Sequence, residues 1–186
     1  MTTLKICLIT FLLTAVYLLS SVCLSNILFY FQSNGSLIKI NNHTIGSKLL
    51  GQEFKNNIYF HNRPSLNNYK NNISGCSNFP YYSERLKEFI KTSYEDFKLI
   101  NLNTAPDSNL ISESASGVDP HITYNGALCQ VNRISNLTDI NKKEIISLIN
   151  KVAKPKVGGL FGEKIVNVLE INIKLRDIYA KKNRAR

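Results

Sequence analysis

Apolar residues dominate the first 31 positions, and polar ones are interleaved through the rest. From Ile6 to Phe31 no charged residue interrupts ICLITFLLTAVYLLSSVCLSNILFYF. A helix of that length is about 39 Å long, more than a hydrocarbon core of about 30 Å requires. The run predicts a transmembrane helix over 6–31 behind a short N-terminus, 1–5, with Phe29, Tyr30 and Phe31 at the exit interface, where aromatic rings partition. A cleaved leader fits less well, because its apolar core is short and a small-residue cleavage site follows. Here the run continues past Ser20-Ser21, no A-x-A follows, and Val22 precedes Cys23 where a lipoprotein-type cleavage needs a small residue.

Beyond Gln32-Ser33-Asn34-Gly35-Ser36, a turn signal, the spacing becomes that of a folded domain. Ser83 is placed to cap a helix reaching Phe97, with Leu86, Phe89, Ile90 and Phe97 on one face. Thr123 is placed to cap a second helix with Leu128, Val131 and Ile134 inward. Asn141 and Glu144 form a capping arrangement before a third, with Ile145, Ile146, Leu148, Ile149 and Val152 as its apolar stripe, ended by Pro155 and Gly158-Gly159. Ile165 to Ile173 alternates and is β-branched, so it reads as a strand, with shorter extended pieces at 36–40, 57–60 and 109–112. The sum is an α+β fold class: one N-terminal transmembrane helix followed by a single mixed α/β domain over 32–175, with a basic tail at 176–186 that reads as a solvated, frayed end.

Composition narrows the class. The chain has 186 residues, room for one ordinary domain, and 44% hydrophobic against 19% charged residues excludes wholesale disorder. Four cysteines are too few for a disulfide framework; Cys7 and Cys23 fall in the apolar run, and pairing of Cys76 with Cys129 stays open. Neither GxxxxGK[ST] nor GxGxxG occurs. Asparagine runs at 41–42, 56–57, 67–68 and 71–72 mark turns, and the three N-x-[ST] sites carry no weight among 23 asparagines and 26 Ser+Thr. Lys5 alone precedes the apolar run, so a short N-terminus left in the cytoplasm is expected; the basic excess downstream argues the other way but counts little for a long translocated domain.

Candidate chemistry is sparse. The histidines are His43, His61 and His121. A serine with Asp119 and a histidine could make a hydrolase, yet no G-x-S-x-G elbow occurs, and Asp119-Pro120-His121 fits an Asx-type turn better. No Cys/His spacing matches a zinc site. Two small-residue loops, 74–78 and 114–117, offer hydroxyls and N–H groups to a ligand or to neighbouring backbone.

Seven blocks taken in order carry more. They are Asn34-Gly35-Ser36-Leu37-Ile38; Leu50-Gly51-Gln52-x-Phe54; Tyr59-Phe60-His61-x-Arg63-Pro64-Ser65; Ser74-Gly75-x-Ser77-Asn78; Ser114-Ala115-Ser116-Gly117-Val118-Asp119-Pro120-His121-Ile122; Gln130-Val131-x-Arg133; and Val166-Asn167-Val168-Leu169-Glu170-x-Asn172. Behind a single span, over about 28–175, this order resembles the C subunit of the Kdp potassium-transporting ATPase. The resemblance implies a non-catalytic accessory subunit of a high-affinity potassium import complex in the bacterial inner membrane, single-pass, with its main domain extracytoplasmic. It implies as partners a P-type ATPase subunit and a potassium-channel-like subunit, a small single-span subunit besides, and the lipid membrane, with no nucleic acid. ATP is implied for the complex, with no cofactor or metal held firmly by this chain. The family's proposed roles are assembly and a raised ATP affinity of the pump subunit.

The site residues that follow are interface and loop-architecture positions: Gln52, Phe60, Arg63, Pro64, Ser65, Ser74, Gly75, Ser77, Asn78, Ser116, Gly117, Asp119, His121, Gln130, Arg133, Asn167 and Glu170. Arg63 is suited to fork onto a partner's carboxylates or carbonyls, Gln52 and Gln130 are polar candidates for partner contact or a nucleotide effect, and Asp119 with His121 would hold the loop before the Thr123 helix. Intradomain hydrogen bonding is the alternative role for each. The sequence departs from the family at Cys76, where a second glycine is usual, at Phe79-Pro80-Tyr81, at Asn109, where an acid is common, and in its longer basic tail.

Overall fold

A computed structural model describes residues 2–70 and 72–184; Met1 of the short N-terminus, Asn71 of the asparagine run and the last two residues of the basic tail lie outside the described residues. The chain divides into two compact units, Met1–Ser47 and Lys48–Arg186.

The first unit opens with α1 (Thr2–Leu28), 27 residues with none buried. It is apolar on every side and long enough to cross a bilayer. Its few polar side chains turn back onto its own carbonyls. Thr14 Oγ1 donates to Thr10 O at 2.8 Å, Ser21 Oγ to Tyr17 O at 2.8 Å and Asn26 Nδ2 to Val22 O at 3.0 Å. A hydroxyl or amide in hydrocarbon needs such a partner, and the helix supplies it locally.

The helix stops three residues before the expected end at Phe31. Phe29 leaves helical geometry at φ −128°, ψ 45°, and a separate turn, α2 (Tyr30–Ser33), follows. Beyond it β1 (Leu37–Ile40) pairs antiparallel with β2 (His43–Ser47). Ile40 faces His43, so the connection is the two residues Asn41 and Asn42, at φ 50° and 63°. Two consecutive positive φ values define the hairpin turn whose twist matches the strands, and asparagine tolerates that region better than other side chains with a Cβ.

The second unit carries the core. Its elements are α3 (Glu84–Ile100), α4 (Ser108–Ile111), β3 (His121–Thr123), α5 (Tyr124–Cys129), α6 (Val131–Thr138), α7 (Lys142–Val152), β4 (Ile165–Asn167) and α8 (Val168–Arg184). β3 pairs antiparallel with β4, Ile122 opposite Val166, both buried. The ladder packs with Ile134, Ile145, Ile149, Ile171 and Leu175 from α6, α7 and α8. The stripe expected on α7 is found, with Ile145, Leu148, Ile149 and Val152 buried, and Asn141 Oδ1 caps it by accepting from Lys143 N at 2.9 Å.

Five expectations change. Residues 165–173 are a strand only to Asn167; α8 then takes over. Val168, Ile171, Asn172 and Leu175 recur at helical spacing, so the segment satisfies both periods, and the core on one side of a helix decides. Asn167 Oδ1 accepts from Glu170 N at 3.1 Å, which caps the new helix. The basic tail is helical to Arg184 instead of frayed, with Ile178 and Tyr179 packed against the core. Residues 109–111 lie in α4, started by Asp107 Oδ1 accepting from Asn109 N at 2.9 Å, with Ser112 as its extended C-cap, and 57–60 form no strand. The helix after Thr123 breaks at Gln130 into α5 and α6, although Thr123 Oγ1 does cap it, accepting from Gly126 N at 2.9 Å.

Ile149 has no exposed surface, whereas Leu99 is 82% exposed. Ile149→Ala should therefore cost about 2–5 kcal/mol and Leu99→Ala within about 0.5 kcal/mol. Urea unfolding of the full chain in detergent, followed by far-UV circular dichroism, checks the difference.

Candidate functional site

The segment 57–65 runs through the second unit without a strand partner, and side chains from the helices bond its central backbone groups. Three side chains do the work. Gln130, at the break between α5 and α6, accepts from His61 N at 2.8 Å through Oε1 and donates to His61 O at 3.1 Å through Nε2. Asn172 of α8 does the same for the neighbouring residue, accepting from Phe60 N at 2.8 Å and donating to Phe60 O at 2.9 Å. Each side-chain amide thus imitates the rung of a β-ladder. Phe60 itself is fully buried.

Arg133 of α6 completes the clasp. It is 2% exposed and spends its donors on neutral acceptors: Asn101 Oδ1 at 2.8 Å, Gln130 Oε1 at 2.7 Å, Tyr59 O at 2.9 Å and Asn57 O. Among the described residues no carboxylate pairs with it. Burial pulls its pKa down to about 10, which leaves it charged at neutral pH. Burial, then the field of Arg133, lowers the His61 pKa to about 4, so that ring is neutral.

A second cluster joins the far end of the segment to the two small-residue loops. Arg63 donates to Glu113 O at 2.7 Å and lies 3.6 Å from Asp119 Oδ2. Ser65 Oγ donates to Gly117 O at 2.6 Å, and Ser114 N donates to Pro64 O at 3.3 Å. Gly75 N and Ser74 Oγ both donate to Ser116 O, at 3.0 and 3.2 Å, and Ser77 N donates to Glu113 Oε2 at 2.9 Å. Gly117 sits at φ +69°, and a Cβ there would lie 2.7 Å from Gly75 O, so the crossing of the loops requires glycine. Among the described residues Asn78 bonds within its own turn, its Nδ2 donating to Cys76 O at 3.2 Å. Cys76 and Cys129 are free thiols.

Asp119 does make the expected Asx turn, accepting from His121 N at 3.0 Å, and the turn leads into β3. Burial alone would raise its pKa; the bonds to His121 and the charge of Arg63 outweigh it and hold the carboxyl below its ordinary value. Asn167 and Glu170 close a third corner: Asn167 Nδ2 donates to Lys48 O at 2.9 Å and Glu170 pairs with Lys48 Nζ. Gln52 enters through its carbonyl, which accepts from Asn62 Nδ2 at 2.9 Å.

The structure brings sequence-predicted residues of the 50–54, 114–122 and 130–133 blocks onto the 57–65 segment, and those of the 74–78 block onto the 114–117 loop. It adds Asn101, Asn172 and Tyr69, whose hydroxyl donates to Arg63 O. Asn172 had a readable signal, a lone amide in the buried stripe of an otherwise apolar helix face. Chemically the arrangement holds chain together. Among the described residues no serine hydroxyl is hydrogen-bonded to a histidine, and no three His, Cys, Asp or Glu side chains cluster to hold a metal.

The chain is similar to known proteins over most of its length. The family model for KdpC, the K+-transporting ATPase c chain, matches residues 1–177. The potassium-transporting ATPase KdpC subunit of Gloeobacter violaceus is 38% identical over 148 residues, 79% of this chain and 78% of that one. That of Caldanaerobacter subterraneus is 32% identical over 167 residues, 88% and 86% of the two chains. A Bacillus cereus KdpC subunit is 39% identical over 150 residues, 78% of each.

Two outcomes test the clasp. Gln130→Leu should destabilise by about 1–3 kcal/mol for each buried group it orphans, His61 N, His61 O and one Arg133 donor, read by urea unfolding. Acid should act in two windows. His61 is neutral when folded but binds a proton near pH 6.5 when unfolded, so stability falls from pH 6.5 to about 4, by at most about 1.4 kcal/mol per pH unit. Asp119 stabilises only while ionised, so its share is lost lower still, as pH falls through its depressed folded pKa. His61→Gln should flatten the first slope and leave the second.

Proposed function

This chain belongs to the family of the KdpC subunit, the c chain of the K+-transporting ATPase, and from that premise we propose that it is a non-catalytic accessory subunit that stabilises the assembled potassium importer. The observation that carries the non-catalytic reading is the use to which the polar residues are put. Gln130, Asn172, Arg133, Arg63 and Ser65 are bonded to backbone of their own unit, which holds a surface in one shape instead of presenting a nucleophile and its base.

In this reading α1 crosses the inner membrane with its N-terminus in the cytoplasm, and the second unit lies outside the cell membrane. There it packs against the potassium-channel-like subunit near the ion entrance and, through it, holds the P-type ATPase subunit in an active arrangement. A domain on that side cannot touch cytoplasmic ATP. Any rise in ATP affinity then travels through the complex as a coupling free energy, and it must be reciprocal: ATP bound to the pump subunit tightens the hold on this chain by the same factor.

The test is purification of the complex in mild detergent from potassium-starved cells, with and without this chain. Recovery of a P-type ATPase and a large channel-like protein with it, and loss of potassium-stimulated ATP hydrolysis without it, is the expected result. A chain that purifies alone from cells containing both proteins overturns the reading. Asp119→Ala should reduce recovery of the complex, whereas loss of a hydrolytic activity with assembly intact would favour an anchored hydrolase.

A further inference from the structure

Between α7 and β4 the chain makes an excursion that buries nothing: every residue from Lys154 to Glu163 is exposed. It is nonetheless built. Lys154 and Ile165 exchange backbone bonds of 2.8 and 3.2 Å at its base, and Val157 and Phe161 exchange bonds of 2.9 and 3.1 Å at its neck. Gly158 and Gly159, at φ +60° and +76°, turn the tip. The result is a closed loop that holds Val157, Leu160 and Phe161 in water, 77, 79 and 73% exposed. Three large apolar side chains at one tip, displayed by a fixed backbone, mark a surface that something covers.

Its charges indicate what. Lys154 and Lys156 flank the apolar trio and have no acidic partner among the described residues. Lys164 is engaged instead, 3.7 Å over the Tyr124 ring and bonded to Asn150 at 3.3 Å. An apolar tip with free cations beside it is complementary to a bilayer surface, where acyl chains lie beneath anionic headgroups. The chain also carries α1, long and apolar enough to span, so covalent connection keeps the loop at high effective concentration near a membrane. We infer that the 157–161 loop is a second membrane contact, inserting Val157, Leu160 and Phe161 into the interface of an anionic bilayer while Lys154 and Lys156 hold its phosphates. The inference needs the anchor and the loop, and is independent of the accessory-subunit role.

The chain contains no tryptophan, so Phe161→Trp places a single reporter at the tip. The full chain bearing it would be reconstituted in nanodiscs of phosphatidylcholine, with and without phosphatidylglycerol, some made with brominated acyl chains. Insertion predicts blue-shifted emission and bromine quenching in the phosphatidylglycerol discs. Lys154→Glu with Lys156→Glu should lower the quenched fraction, each lysine contributing about a fivefold partition at an anionic surface. Tyr81→Trp, at a position 87% exposed elsewhere in the unit, should stay unquenched. Red, unquenched emission from Phe161→Trp in both lipids overturns the inference. So does shielding without bromine quenching that appears only when purified subunits of the ATPase are added, which would make the loop a protein-docking element.

Discussion

A guanidinium buried without a carboxylate is costly to desolvate, and the second unit is arranged around meeting that cost. Arg133 recovers it from neutral acceptors, two backbone carbonyls and two side-chain amides drawn from separated parts of the chain. Those acceptors must converge for the charge to be tolerated. The residue therefore demands that 57–59, Asn101 and the α5–α6 break take their native positions together. Removal of any one leaves a charge in a low-dielectric interior, which makes the arrangement cooperative.

The same network explains how an irregular segment can cross a core. Backbone N–H and C=O groups buried there must bond to something, and ordinarily a neighbouring strand supplies the bonds. Here Asn172 and Gln130 stand in for that strand, one amide per residue, at the buried Phe60 and at His61 after it. Because a side chain can reach from a helix, the segment needs no strand beside it, and its far end meets the 112–119 loop through Arg63 and Ser65, while that loop in turn holds 74–77. A rigid shape composed of loops suits a subunit whose proposed work is to hold others in place.

Much of this was legible beforehand. The charge-free run announced α1, and the apolar spacing of α7 with Asn141 before it announced both the helix and its cap. Asn41-Asn42 announced a turn. The ordered blocks identified the family. What each residue does was not legible. Gln130, Arg133 and Arg63 look alike as exposed polar contacts or as buried bonds, and a hydrogen-bond partner 69 or 74 positions away has no local signature.

Sequence by itself determined the apolar span, the caps at Thr123 and Asn141, the Asn41-Asn42 turn and the set of blocks, because each depends on neighbours a few positions apart; Ser83, at the start of α3, makes no side-chain cap. Tertiary structure decided the rest. It converted 168–173 from strand to helix, since a pattern compatible with both periods is settled only by the shape of the core it faces. It broke the helix at Gln130 so that one amide could serve His61 and Arg133 at once. It also left Val157, Leu160 and Phe161 in water. Hydropathy alone would have buried them, but the short path from α7 to β4, closed at Lys154 and Ile165, carries them outward.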